Sequence, residues 1–153
     1  MHYQCSPITR QAGYYGERIV FRNAGVEPKD IQLTGCYDAF TFTPILLFEA
    51  YGFCPVGEGG EYVSSGAIEL GGERPSNTSG GHLCEGYTHG MNMVIENVRQ
   101  LRHEADDSCA HLAGGQHSYD YHEGGCRQVR DVELAMNMGW GMPSLTSSLI
   151  LRR

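Results

Sequence analysis

Apolar and polar positions alternate with helical spacing most clearly in the second half of the chain. Tyr87, Met91, Val94, Ile95, Val98 and Leu101 fall at i, i+4, i+7, i+8, i+11 and i+14, the stripe of an amphipathic helix. This predicts a helix from about Cys84 to His103, starting directly after Ser79-Gly80-Gly81. A shorter pattern, Ile19, Val20 and Ala24, predicts a helix over Glu17 to Ala24. Gly25 closes it, a residue suited to the left-handed C-cap. The residues before it, up to Gly16, read as polar and turn-rich. Ile31 to Tyr37 reads as a short buried strand after a Pro28-Lys29-Asp30 turn. Thr43-Pro44 opens another helix, proline being tolerated in a first turn, and Gly52 ends it. Ile45, Leu46, Leu47, Phe48, Ala50 and Tyr51 make that helix apolar almost all round, which implies burial on most faces.

Cys54 to Gly60 reads as a loop, Glu61 to Leu70 fits neither period, and Gly71 to Gly81 is a long loop rich in Gly, Ser, Asn and Pro. Two strand-like runs close the chain, Val132 to Met138 and Ser147 to Leu151, joined at Gly139-Trp140-Gly141-Met142-Pro143. Strand, helix, loop, helix and terminal hairpin predict an α/β fold, a mixed sheet layered with helices. No linker or internal repeat divides residues 1–153, so one domain is expected. Residues 106–125 show no period and read as an irregular insertion.

Composition narrows the function classes. Glycine accounts for 21 of 153 residues, about twice its usual share of roughly 7%. The glycines come in clusters and not every third residue, which excludes collagen. Disorder is excluded by 41% hydrophobic and 19% charged residues. A net charge of −7 makes nucleic acid a poor partner. No apolar run approaches the roughly 20 residues that cross a bilayer, and the N-terminus shows no secretory signal pattern. The six cysteines do not resemble a secreted disulfide framework. They read as reduced thiols in a cytoplasmic protein.

Several glycine clusters sit where loops meet elements, permitting tight turns or close backbone approach to a ligand. Three such segments belong together: Tyr37-Asp38-Ala39-Phe40, Asn77-Thr78-Ser79-Gly80-Gly81-His82-Leu83-Cys84-Glu85-Gly86-Tyr87, and Met136-Asn137-Met138-Gly139-Trp140-Gly141. Their order and spacing resemble the C-terminal half of the thiolase superfamily, in its lipid-transfer-protein-like branch. There an Asn-Glu-Ala-Phe motif follows a strand, an Asn-x-x-Gly-Gly loop leads to Gly-His-Pro, and Cys-x-Gly lies in the final hairpin. The resemblance spans Glu17 to Arg153, interrupted by residues 106–125.

The departures redirect the chemistry. Tyr37 stands at the Asn position of the first motif, and Tyr87 at the His position of Gly-His-Pro, with Thr88 following instead of Pro. Asn137 stands at the Cys position of Cys-x-Gly, with Gly139 retained. A thiolase uses that Cys as acid/base and that His to activate its nucleophile. The tyrosine pair resembles instead the steroid side-chain aldolases of the sterol-carrier-protein type, which cleave β-hydroxyacyl-CoA by a retro-aldol reaction. Such a reaction needs one group to take the β-hydroxyl proton and another to protonate or stabilise the enolate. A phenol titrating near pH 10 needs help to serve as base, and a helix N-terminus beside Tyr87 is expected to supply it. Which tyrosine is base stays open.

The catalytic candidates are therefore Tyr37 and Tyr87. Substrate-binding candidates are Asp38, Phe40, Gly80, Gly81, His82, Asn137 and Gly139. Each tyrosine also has a plain packing reading, Tyr87 lying on the apolar stripe. His89, two positions along the expected helix, should point away from Tyr87 and serve as a solvated or capping residue. Cys84 reads as a small buried thiol. Cys109, His111, His117, His122 and Cys126 are zinc-ligand types, but their spacing matches no compact motif, so no metal is expected.

By resemblance, the CoA-binding and nucleophilic-cysteine motifs belong to another half of the protein. The chain is thus expected to be a C-terminal part, inactive alone, that acts on a lipid, sterol-side-chain or aromatic acyl-CoA. The CoA thioester is the substrate, and no cofactor is tightly bound. A homo-oligomer such as a dimer, or a hetero-oligomer with an OB-fold/zinc-ribbon protein, is implied. Two alternatives stand beside this: an acetyl-CoA acyltransferase using a cysteine in that other half, and a non-catalytic acyl-CoA-binding or structural subunit.

Overall fold

The computed structural model describes residues 12–105, 111–112, 116–117, 121, 126–141 and 145–153. Strand β1 (Leu33–Cys36) pairs in parallel with β4 (Leu134–Trp140), and β4 pairs antiparallel with β5 (Thr146–Arg152), giving the order β1-β4-β5. In the parallel pair Leu33 faces Ala135 and Gly35 faces Asn137; in the hairpin Asn137 faces Leu149 and Gly139 faces Ser147. The predicted α/β fold class holds. Two further strands, β2 (His111–Leu112) and β3 (Gln116–His117), form a small antiparallel hairpin inside the segment read as an irregular insertion.

The period of two along β1 and β4 separates two faces. Cys36, Met136 and Met138 turn to one side, where they pack with Leu47, Phe48 and Tyr51 of helix α2 (Phe42–Ala50) and its C-cap, and with Phe21 of α1 (Ala12–Ala24). Leu33 and Ala135 turn to the other, against Leu101 of α5 (Met91–Arg102). Every residue of β1 is buried, as a strand covered by helices on both faces requires.

Helix α1 begins at Ala12, earlier than the sequence pattern predicts. Gly13 and Gly16 are not breakers here but points of contact. A Cβ on Gly13 would lie 3.0 Å from Tyr51 Cε2, and one on Gly16 would lie 3.2 Å from Thr146 Cγ2. Helix α3 (Gly59–Ser64) occupies part of the stretch that fits neither period. Its buried first residue donates its N–H to Glu49 Oε1 at 3.0 Å.

The predicted Cys84–His103 helix is two helices, α4 (Gly81–Cys84) and α5. Residues 85–90 form a loop between them. His89 (φ +51°) and Gly90 (φ +94°) both take left-handed conformations, which ends any continuous helix. The i, i+4 relation between Tyr87 and Met91 is therefore accidental. His103, also left-handed at φ +58°, caps the C-terminus of α5.

The reading of all six cysteines as thiols is corrected. Cys36, Cys54 and Cys84 are free, but Cys126 is disulfide-bonded. Cys84 is exposed, not buried, because the chain leaves the helix one residue later. Cys109 and His122 lie outside the described residues, as do the side chains of His111 and His117. Among the described residues no helix is long and apolar enough to cross a membrane.

Candidate active site

The C-terminal end of β1 delivers the first tyrosine. The backbone N–H of Tyr37 still bonds to Met138 O at 2.9 Å, so its position is set by the sheet. Asn77, itself left-handed at φ +50°, closes the end of the strand from the side. Its Oδ1 accepts the Cys36 N–H at 2.7 Å and its Nδ2 donates to Cys36 O at 2.9 Å. The side-chain amide thus imitates one rung of a neighbouring strand. Gly80 (φ +104°) and Gly81 (φ +63°) then wrap the chain around Asp38. A Cβ on Gly81 would collide with the Asp38 carboxylate. The buried Asp38 accepts the His82 N–H at 2.9 Å. This explains an Asn-x-x-Gly-Gly loop opposite an acidic residue: amide, glycines and carboxylate form a brace between residues 36–38 and 77–82.

The brace brings the two tyrosines together. Their hydroxyl oxygens lie 2.5 Å apart, a hydrogen bond in which either can donate. Tyr37 is 7% exposed and Tyr87 59%. Burial, first, and then the bond to Tyr87 push the Tyr37 hydroxyl up from its ordinary 10 to about 12. Tyr37 is therefore a phenol that keeps its proton at neutral pH. The His82 ring lies beneath both, with ring centroids 4.6 Å from Tyr37 and 5.0 Å from Tyr87. Both nitrogens of this buried imidazole lack a hydrogen-bond partner among the described residues.

The expected helix N-terminus is not beside Tyr87. Helix α5 starts four residues later, and Thr88 caps it by accepting the Asn92 N–H at 3.1 Å. The reading of His89 is corrected as well. Its ring centroid lies 4.7 Å from that of Tyr87, edge to face, because the left-handed turn folds the loop back on itself.

Two cavities adjoin the pair. The larger, about 720 Å³, is lined by Tyr37, Tyr87, Phe40, Trp140 and Gly139 among others. The smaller, about 220 Å³, lies between the sheet and the start of α5 and is lined by Gly35, Asn137 and Met93 among others. Tyr37, His89, Gly139 and Ser147 line both. Gly139 keeps the junction open on one side, since a Cβ there would run into Ser147 Oγ. Phe40 stacks on Phe42 at 5.6 Å, and both meet the Trp140 ring edge-on. That makes an aromatic rim to the larger cavity.

Of the predicted residues, then, Tyr37, Tyr87, Phe40 and Gly139 line the larger cavity, and Asn137 and Gly139 the smaller. Asp38, Gly80, Gly81 and His82 line neither; they stand behind the tyrosines and hold them in place. Sequence reasoning missed His89, Trp140 and Ser147. The register of the last hairpin carried a signal for Ser147, which lies opposite Gly139. The buried Cys36 and half-buried Cys54 are unsuited to nucleophilic work: desolvation pushes their thiols up to about 12 and about 11.

Comparison with known proteins follows the same line. Residues 1–126 match the family described as thiolase C-terminal domain-like. The chain is 46% identical over 85 residues to 17-hydroxy-3-oxo-4-pregnene-20-carboxyl-CoA lyase of Mycobacterium tuberculosis, covering 56% of this chain and 22% of that protein. It is 39% identical over 92 residues to the steroid side-chain-cleaving aldolase of Thermomonospora curvata, covering 60% of this chain and 23% of that one. The chain thus spans under a quarter of the length of either relative. Among solved structures, the Ltp2-ChsH2(DUF35) aldolase superposes with a TM-score of 0.79 at 31% identity, over 98% of this chain and 34% of that one.

Proposed function

The chain belongs to the thiolase C-terminal domain-like family, and on that premise we propose that it carries the cleavage site of an acyl-CoA aldolase. Its substrate would be a β-hydroxyacyl-CoA whose acyl part is a lipid, a sterol side chain or an aromatic acid. The observation that carries the reading is the Tyr37–Tyr87 hydroxyl pair at the junction of two cavities. Tyr87, the exposed member, takes the β-hydroxyl proton as its own hydroxyl proton passes to Tyr37 along their hydrogen bond. The Cα–Cβ bond breaks, its electron pair passing into the thioester as an enolate, and a ketone or aldehyde leaves. In the same relay Tyr37 gives its original proton to the α-carbon, so that both tyrosines end as neutral phenols. Proton and electron counts close without an oxidant or a cofactor.

The aromatic rim of Phe40, Phe42 and Trp140 suits a flat, apolar acyl group. CoA binding is assigned to a segment outside this chain, and the working enzyme to a larger assembly. The neighbouring aldolase, whose name pairs Ltp2 with ChsH2(DUF35), supports a hetero-oligomeric partner such as the OB-fold/zinc-ribbon protein expected from sequence. Claisen chemistry gains no support from Cys36 or Cys54, both held as thiols by burial.

The test is replacement of each tyrosine by Phe in the complete enzyme. Ketone release should fall by about 10²–10⁴ in either variant, the usual weight of a general acid or base. Exchange of the α-proton of the product acyl-CoA with heavy water should be lost in Tyr37→Phe and kept in Tyr87→Phe. Near-normal cleavage by both variants would refute the proposal.

A further inference from the structure

The smaller cavity contains a donor that the tyrosine mechanism leaves unused. Asn137 is 7% exposed, and its Nδ2 has no hydrogen-bond partner among the described residues. Its orientation is settled by its neighbour. Asn97 Nδ2 donates to the backbone carbonyl of Met136 at 3.3 Å, which fixes the Asn97 amide. The same nitrogen lies 3.0 Å from the Asn137 side chain, so the atom it meets there must be the acceptor, Oδ1. The Asn137 NH₂ is thereby turned the other way, over Gly35, where any Cβ would collide with it. Gly35 and Asn137 both line the smaller cavity, which shares Tyr37 with the larger one. A buried amide left without a partner is destabilising, and native structures rarely keep one without a use. Here three features accompany it: an orienting asparagine, a glycine cleared of side chain, and a cavity that Gly35 and Asn137 both line.

We propose that Asn137 is a catalytic residue whose Nδ2 donates a hydrogen bond to the thioester carbonyl oxygen in the smaller cavity and holds that oxygen as it becomes the enolate. The proposal rests on the aldolase reading and assigns a direction to the substrate. The thioester oxygen enters the smaller cavity, the carbon chain beyond the β-carbon extends into the larger one, and the breaking bond lies at the Tyr37–Tyr87 junction. A donor preorganised in a dry site stabilises developing charge without having to reorganise. The oxygen gains electron density as the Cα–Cβ pair moves into the enolate and gives it back when the α-carbon takes its proton, so Asn137 transfers no proton itself.

Two variants of similar volume test this in the complete enzyme: Asn137→Leu, which removes both polar atoms, and Asn137→Asp, which keeps the shape and removes the donor. The probes are the product acyl-CoA and its thioether analogue, in which CH₂ replaces the carbonyl. Both variants should bind the acyl-CoA about tenfold more weakly, leave thioether binding unchanged, and cleave β-hydroxyacyl-CoA about 10²–10³-fold more slowly. Equal weakening for both probes, or for neither, overturns the assignment. If wild-type enzyme cleaves no β-hydroxyacyl-CoA yet Asn137 still discriminates the two probes, the aldolase reading fails and the carbonyl-binding role stands. If it cleaves normally but Asn137 does not discriminate, only the assignment of Asn137 fails.

Discussion

Replacing Gly81 by Ala attacks the brace beneath the tyrosines at its tightest point. Gly81 sits at φ +63°, and a methyl group there would run into the Asp38 carboxylate and come within 2.8 Å of Asn77 Nδ2. A left-handed conformation costs an L-residue about 1–2 kcal/mol. To make room, Asp38 must withdraw from the His82 N–H, forfeiting a charge-assisted hydrogen bond worth about 1.5–3 kcal/mol in a buried place. Together these amount to about 3–5 kcal/mol, a large part of the 5–15 kcal/mol typical of a domain. The control is Gly86→Ala, two residues beyond the helix that Gly81 opens. Gly86 has no atom within 4 Å of an added Cβ and no positive φ, so its replacement should shift stability by less than about 0.5 kcal/mol. Denaturant unfolding of both variants, followed by tyrosine fluorescence, measures the difference. Equal midpoints for Gly81→Ala and Gly86→Ala would falsify the brace as the element that positions His82 and the tyrosines.

Three further outcomes follow from the same geometry. One tyrosinate should titrate near pH 12 in the absorbance spectrum of the native protein and vanish in Tyr37→Phe. Because the folded value lies above the ordinary 10, the stabilisation linked to this group is whole below about pH 10 and is lost as pH rises toward 12. A titration in which every tyrosine ionises near 10 would overturn that assignment. Arg74, almost fully buried, donates to Ile31 O at 2.8 Å and Tyr62 Oη at 2.7 Å and lies 4.7 Å from the Phe53 ring centroid. Arg74→Met should therefore cost about 3 kcal/mol in thermal or denaturant unfolding. Glu73→Gln, which removes only its exposed ion-pair partner, should cost less than about 1 kcal/mol.

The three strands of the main sheet, the α/β layering and the three motif segments were legible because each rests on a local pattern. A short apolar run between turn residues marks β1 and β4, and glycine pairs mark the turn around Asp38. Non-local geometry was not legible. The stretch up to Gly16 reads as polar and turn-rich, yet Gly13 and Gly16 lie within α1 and let it approach Tyr51 and Thr146. The long helix was over-extended because Tyr87 to Met91 happens to match a helical step, and periodicity carries no information on the left-handed residues 89 and 90. The same error hid His89, whose place beside Tyr87 exists only once the helix is broken. The orphaned amide of Asn137 depends on a neighbour forty residues away, which no local pattern contains.

The two tyrosines are anchored by unlike means. Tyr37 hangs from a sheet and a buried brace. Tyr87 is held by surface groups: Glu85 accepts from Ser79 Oγ at 3.1 Å and from Asn92 Nδ2 at 2.7 Å, and Thr88 caps α5. Mutations that would displace Tyr37 also endanger folding, so selection removes them before activity is ever tested. Mutations at Glu85, Thr88 or Asn92 move Tyr87 while leaving the core intact. One partner in the pair is thus frozen by the fold and the other free to drift, and new substrate ranges should arise by rewriting the loop of residues 85–90.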